Sequence, residues 1–291
     1  MIDVVLGFDR AYAPHAAAVI ASVVRHAPAD AFRFILLHGG VEASVRARLE
    51  AAAPQARYYW AEIGEQDVPA MADREHFSRA ILFRLGLEKH APADCRRAIY
   101  LDSDVIVRRD IRQLWSADLQ GQPIGAVLDC FIEGEAFAAT WRLPPPGDYF
   151  NSGVLLIDVD RVRAEGAFSA AIAFTAAHLS TLRFTDQDAL NHVFWRRWAR
   201  LDPIWNAQRH MAIASLRAEI PVNRHLQGRQ PAIVHYTGAE KPWLKNGYHP
   251  YAWAYWENLS RTPFVGEVAH RYGVDWRRRL MLWLRQSRAR W

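Results

Sequence analysis

Short, nearly unbroken apolar runs alternate along this chain with longer stretches in which apolar residues return every third or fourth position. "IDVVLGF" (2–8), "FRFILLH" (32–38), "ARYYWAEI" (56–63) and "RAIYLD" (97–102) have the length and β-branched or aromatic content of strands. Residues 13–27, 41–53 and 78–91 read as helices, the first with Pro14 near its start, where proline is tolerated. Strands alternating with helices at this spacing predict an α/β fold with a Rossmann-like, mostly parallel central sheet flanked by helices. Neither an internal repeat nor a low-complexity linker interrupts the pattern. Pro144–Pro146 marks a rigid loop, and from about residue 195 the pattern loosens into Trp- and Arg-rich sequence.

In open sheets of this kind ligands bind beyond the carboxyl ends of the strands. Asp9 falls just after the first predicted strand, and "DSD" (102–104) just after the fourth. Alternate residues at an extended strand end point the same way, so Asp102 and Asp104 can converge on one cation. Two adjacent carboxylates repel, and a divalent ion removes that cost. Carboxylates with a histidine suit Mn²⁺ or Mg²⁺, and the lack of thiolates argues against structural zinc. Acid–base chemistry or an acidic turn accounts equally for the pair taken alone. An EF-hand is excluded, because Ile106 falls where that loop needs a ligand. Aspartate-based phosphotransferases of the haloacid-dehalogenase type also place D-x-D after a strand, but on their first strand and with a later acid pair; neither feature is present here.

Composition narrows the class. At 51% hydrophobic and 23% charged, with no run near the roughly 18–20 apolar residues of a membrane span, the chain reads as soluble and globular. The N-terminus reads as a strand rather than a signal peptide. Two cysteines, Cys95 and Cys130, make no disulfide framework or cysteine metal cluster, so a cytoplasmic, reducing compartment is expected. The net charge of +5 is concentrated at the end: residues 276–291 hold six of the 36 basic residues and no acid, leaving 30 basic against 31 acidic residues elsewhere. That distribution argues against nucleic-acid binding. Written as a helix, 276–291 puts Trp276, Leu280, Trp283, Leu284 and Trp291 on one stripe, with Arg277, Arg278, Arg285 and Arg288 beside and opposite it. Such a basic amphipathic C-terminal segment suits an anionic membrane surface, peripheral to the inner face of the cytoplasmic membrane, or else packs on the body of the protein.

Four further segments have fixed order and spacing: "LGFDRAYAPH" (6–15), "YFNSGVLLIDVDR" (149–161), "FTDQDALNHVF" (184–194) and "VHYTGAEKPW" (234–243). Together with "YLDSDVIV" they resemble glycosyltransferase family 8, including its bacterial lipooligosaccharide galactosyltransferases and glycogenin, from residue 2 to about 245. The resemblance implies a GT-A catalytic domain over 1–245, followed by a Trp/Arg-rich extension over 246–291. It also implies a UDP-hexose donor (galactose or glucose), a glycan or glycolipid acceptor, a divalent metal and retention at the anomeric carbon. By position, Asp102, Asp104 and His235 match the metal ligands, and Gly238 and Lys241 the residues near the diphosphate. Asp9 and Tyr12 match the nucleotide-binding start, and Ser103 lies near the ribose. Arg84, Asp129, Asn151, Asp186 and Gln187 match positions around the donor sugar. Two departures affect the base pocket: Ala11 stands where the family has Asn, and Phe8 where it has a small residue.

Five of these residues also have an ordinary structural explanation: His235 as a core histidine, Lys241 as a surface lysine, Arg84 as a helix-surface arginine, Asn151 as a turn residue and Asp186 as a helix cap. A neutral Gln187 in place of a carboxylate nucleophile points to front-face attack, with Asp129 as covalent nucleophile the alternative. "FWRRWARLDPIWNAQRH" (194–210) offers aromatic residues for stacking an acceptor, or for the core. A catalytically inactive nucleotide-sugar-binding protein on the same fold is the competing functional class. Oligomeric state is not legible.

Overall fold

The computed structural model describes residues 1–69, 79–214, 226, 228–247 and 249–288. Nine strands are formed among them: β1 (Ile2–Phe8), β2 (Phe32–His38), β3 (Arg57–Glu62), β4 (Arg97–Leu101), β5 (Val105–Val107), β6 (Ile124–Leu128), β7 (Phe150–Asp158), β8 (Trp198–Arg200) and β9 (Ile233–His235). Seven make one sheet in the order β3-β2-β1-β4-β7-β6-β8, and β5 pairs with β9 in a second. Every pairing in the large sheet is parallel except the two made by β7. The expected mostly parallel α/β architecture is present, with one reversed strand at its centre.

Burial explains the apolar runs. Val4, Val5, Leu6, Phe34, Ile35, Leu36, Ile99 and Leu101 are fully buried, as strands covered on both faces require. The helix Ala13–Val24 lies on one side, buried along almost its whole length. Residues 78–91 are not one α-helix: 3-10 turns run over Arg79–Gly86 and a single α-turn follows at Leu87–His90, while Ser78 lies outside the described residues. Here Leu82, Phe83, Arg84, Leu85 and Gly86 are all buried. Leu82, Phe83 and Leu85 pack in one core cluster with Val5, Ile35 and Leu37 of the sheet.

Two local irregularities shape the sheet's carboxyl edge. The β6–β7 register skips from Ala126↔Leu155 to Val127↔Asn151, so Ser152, Gly153 and Val154 have no partner on β6. Such a bulge bends the strand and re-aims its backbone. Asn151 therefore lies within a strand rather than in a turn. On the opposite side of the site, β5 pairs antiparallel with β9, with Val105 opposite His235.

The chain beyond residue 245 joins the same core. Tyr255, Leu259, Phe264, Val268 and Val274 are buried in the cluster that holds Val4, Leu6 and Val19. The last helix, Trp276–Arg288, behaves differently: Trp276, Leu280, Met281, Trp283 and Leu284 are exposed, and Leu282 packs partly against the core. Trp291 and the side chains of Arg285 and Arg288 lie outside the described residues. Among those residues no helix is long and apolar enough to cross a membrane.

The two environments give a direct comparison. Leu259→Ala should lower unfolding free energy by about 2–5 kcal/mol, because it leaves a cavity in a closed core. Leu284→Ala should change it by less than about 0.5 kcal/mol. Urea denaturation of both variants measures the difference.

Candidate active site

A cleft of about 1040 Å³ opens at the carboxyl edge of β1 and β4. Tyr12, Arg84, Asp102, Ser103, Asp104, Asp129, Asn151, Asp186, Gln187, His235, Gly238 and Lys241 all line it. Asp9, like Ala11, is not among the lining residues. Its Oδ1 accepts from the Tyr12 backbone N–H at 3.0 Å, which turns the chain from β1 into the following helix.

Asp102, Asp104 and His235 each place a ligand atom within 4.8 Å of the others. His235 Nε2 lies 3.3 Å from Asp104 Oδ1 and 3.7 Å from Asp102 Oδ2. The β5–β9 pairing produces this, bringing together residues more than 130 positions apart. Two carboxylates and an imidazole, all oxygen and nitrogen donors, fit Mn²⁺ or Mg²⁺. Gly153 makes room for them: a Cβ there would overlap the His235 ring and sit 2.8 Å from Asp102 Oδ2.

Buried cations offset the acidic charge. Asp102 Oδ1 accepts from Arg84 Nη2 at 2.7 Å and from the Tyr100 hydroxyl at 2.9 Å, which leaves Oδ2 facing His235. Arg84 also meets Asp186 Oδ2 at 2.9 Å, donates to the Ser152 carbonyl at 2.6 Å and lies over the Tyr100 ring. It is no surface arginine. Burial opposes its charge, but Asp102 and Asp186 raise its pKa further above its usual high value. Lys241 Nζ donates to Asp104 Oδ2 at 2.6 Å and to the Tyr236 carbonyl at 2.7 Å. Burial alone would push the Asp104 carboxyl up; Lys241, the largest opposing influence, instead holds it well below the usual carboxylate range.

The other half of the cleft is an amide and carboxylate array. Asp129 Oδ2 accepts from Asn151 Nδ2 at 3.1 Å and Gln187 Nε2 at 3.2 Å, and its Oδ1 accepts from the Phe131 N–H at 2.9 Å. Gln187 Oε1 accepts from the Ser152 N–H at 3.0 Å. Asp186 sits in the first turn of the helix Thr185–Val193, whose N-cap is Phe184. Burial pushes its carboxyl up to about 6 despite Arg84. Gly238 holds φ at +81°, a conformation glycine adopts freely, just before Lys241.

Trp195 and Trp205, candidate acceptor platforms, are instead buried at 7% exposure. Trp195 donates its indole N–H to the Pro144 carbonyl, and Trp205 packs in the main core. The aromatic rings that reach the cleft with exposed faces are Phe131 and Phe184. Phe184 opens the segment 184–194, whose spacing assigns it no role of its own, and the bend that holds Phe131 gives no signal. Tyr100, Gly153 and Asn206 are the other site residues that motif reading assigns no role, because each acts on a neighbour rather than on a ligand.

The profile described as Glycosyl transferase family 8 matches residues 3–247. The chain belongs to that family. It is 27% identical over 263 residues to General stress protein A of Bacillus subtilis (strain 168), covering 87% of this chain and 91% of that protein. To the lipopolysaccharide 1,2-glucosyltransferase of Escherichia coli (strain K12) it is 29% identical over 196 residues, covering 65% of this chain and 56% of that one. The crystal structure of galactosyltransferase LgtC in complex with donor and acceptor sugar analogues superposes with a TM-score of 0.80 at 26% identity, covering 93% of this chain and 100% of that one. The fold is therefore GT-A and the activity glycosyl transfer. Family membership also sets aside the phosphotransferase alternative.

The raised Asp186 pKa has a stability consequence. A carboxyl held near 6 when folded, against about 3.9 unfolded, adds stability below pH 4 and loses it as pH rises through 6. Asp186→Asn lacks this component. Thermal melts from pH 4 to 7 should show the variant gaining on the parent protein as pH rises.

Proposed function

We propose that the protein is a divalent-metal-dependent, retaining hexosyltransferase that moves galactose or glucose from a UDP-sugar to a hydroxyl of a glycan or glycolipid. The observation that carries this reading is the convergence of Asp102, Asp104 and His235 beside Lys241 in the large cleft. These three residues would hold Mn²⁺ or Mg²⁺, and the bound ion would supply Lewis-acid stabilisation of the departing diphosphate. Lys241 adds a cation at the same place, and Gly238 allows the backbone close to phosphate. Tyr12, edge-on to Trp243 at 6.1 Å, would form the wall for the nucleoside.

On the sugar side the hydrogen bonds favour front-face attack. Both ends of Gln187 and both oxygens of Asp129 are already engaged by protein donors and acceptors. Asp186 is held by Arg84. Side chains committed in this way orient hydroxyls well and serve poorly as nucleophiles. The acceptor hydroxyl would attack from the leaving-group side, with its proton passing to the departing phosphate. Exposed Phe131 and Phe184 flank this region and offer apolar faces to an acceptor sugar.

The last helix fits a membrane-displayed acceptor. It touches the body through Arg278, which donates to the Gly247 carbonyl, and Arg279, which lies over Trp256, while two tryptophans remain exposed. Trp276 and Trp283 would sit at the interface of an anionic bilayer, supported by the neighbouring arginines. The site of action would then be the inner face of the cytoplasmic membrane.

Two measurements test the reading. UDP-galactose or UDP-glucose should raise the melting temperature with Mn²⁺ far more than without it. Asp104→Asn should reduce turnover of the stabilising donor by roughly 100-fold or more, the scale of a lost several-kcal/mol metal contribution. Absence of metal-dependent turnover with every UDP-sugar would instead support a binding protein on the same fold. For the membrane, the full chain should sediment with phosphatidylglycerol vesicles, and the double variant Trp276→Ser, Trp283→Ser should remain in the supernatant. Equal sedimentation would remove the membrane proposal.

A further inference from the structure

Asn206 ends the 3-10 turn Pro203–Asn206 and is fully buried, outside the segments that carry the family resemblance. One end of its amide lies 2.9 Å from His235 Nδ1, and the other lies 2.9 Å from Asn151 Oδ1. The two ends of an amide have the same shape, so their direction has to come from their partners. Here the partners decide it. The Gly153 backbone N–H can only donate, and it points at Asn151 Oδ1 at 3.1 Å. The Ser152 N–H likewise fixes Gln187 Oε1. The bulged segment of β7 thereby orients both amides, and both send their NH₂ groups to Asp129 Oδ2.

The direction propagates. Because Asn151 turns its oxygen towards Asn206, Asn206 must present its NH₂ there and its oxygen to His235. An amide oxygen accepts only, so Nδ1 of His235 carries a hydrogen. The neutral ring then has its lone pair on Nε2, the atom that faces Asp102 Oδ2 and Asp104 Oδ1. A metal-binding imidazole needs that arrangement, and the group that holds its other nitrogen sets it.

We infer that Asn206 is a positioning residue that sets the tautomer of His235 for metal binding and ties the metal site, through Asn151, to the Asp129–Gln187 pair on the sugar side. The inference rests on the reading of Asp102, Asp104 and His235 as a metal site. Its path is a run of hydrogen bonds with one polarity, from His235 through Asn206 and Asn151 to Asp129. Loss of the acceptor at Nδ1 frees the ring to adopt the other tautomer. Loss of the donor to Asn151 disturbs the sugar side without touching His235.

Two measurements on the full chain test it. Long-range ¹H–¹⁵N spectra of the metal-free protein, with the His235 signals identified by their loss in His235→Gln, should show the hydrogen of the neutral ring on Nδ1. Mn²⁺ affinity without donor, read from the paramagnetic resonance of free Mn²⁺, should fall about 10–100-fold in Asn206→Ala, the usual scale for such partners. Asn206→Asp keeps an acceptor at Nδ1 and loses the donor to Asn151. It should recover most of the Mn²⁺ affinity while kcat stays depressed. A hydrogen on Nε2 in the parent protein, unchanged affinity in Asn206→Ala, or equal loss in both variants would overturn the assignment while leaving the metal site standing. If the parent protein binds no Mn²⁺ and Asp104→Asn changes nothing, the metal reading itself falls, and this inference with it. Should Asn206→Ala not fold, the spectrum of the parent protein decides alone.

Discussion

Two carboxylates two residues apart at the end of a buried strand are an electrostatic liability, and the site is organised around offsetting it. Asp102 is held by Arg84 and Tyr100, and Asp104 by Lys241. Each partner takes one oxygen and leaves the other directed at His235. Removing a partner would strand a buried charge, which costs more than the pair contributes. The same arrangement that makes the carboxylates tolerable in the fold leaves three donor atoms convergent and two cations close by.

The sheet supplies this geometry through its irregular parts. Regular parallel pairing from β3 to β4 sets the cleft at the carboxyl edge and places Asp102 there. The reversed β7 then brings its bulged segment past the same point, so that Gly153 makes space while the N–H groups of Ser152 and Gly153 orient Gln187 and Asn151. The small β5–β9 sheet delivers His235. Arg84, on 3-10 turns beneath the sheet, spans the two halves by touching both Asp102 and Asp186. The carboxylate–histidine cluster and the Asp129–Gln187 array thus share one buried cation as well as one run of amides.

Local pattern made much of this legible. The apolar runs at 2–8, 32–38, 56–63 and 97–102 correspond to β1 to β4 within a residue or two; burial on both faces marks β1, β2 and β4, and aromatic content marks the more exposed edge strand β3. Motif order identified the residues that gather in the cleft. Long-range pairing left no such trace. Nothing near His235 states that its strand pairs with β5, and nothing local to β7 states that it runs antiparallel to β4 and β6. The tryptophans at 195 and 205 were ambiguous for a related reason: an aromatic ring that stacks sugar and one that fills a core look alike until their neighbours are known. Tyr100 and Asn206 act one step removed from any ligand, so no chemical motif marks them.

The central claim is that Asp102, Asp104 and His235 together form a cation site that presents a diphosphate to Lys241. Crystals of the protein soaked with Mn²⁺ and UDP, with data collected at the manganese edge, test it most directly. One strong anomalous peak bounded by those three side chains is expected, with UDP phosphates between the peak and Lys241. Ordered UDP with no anomalous peak there, or a peak at other residues, would contradict it.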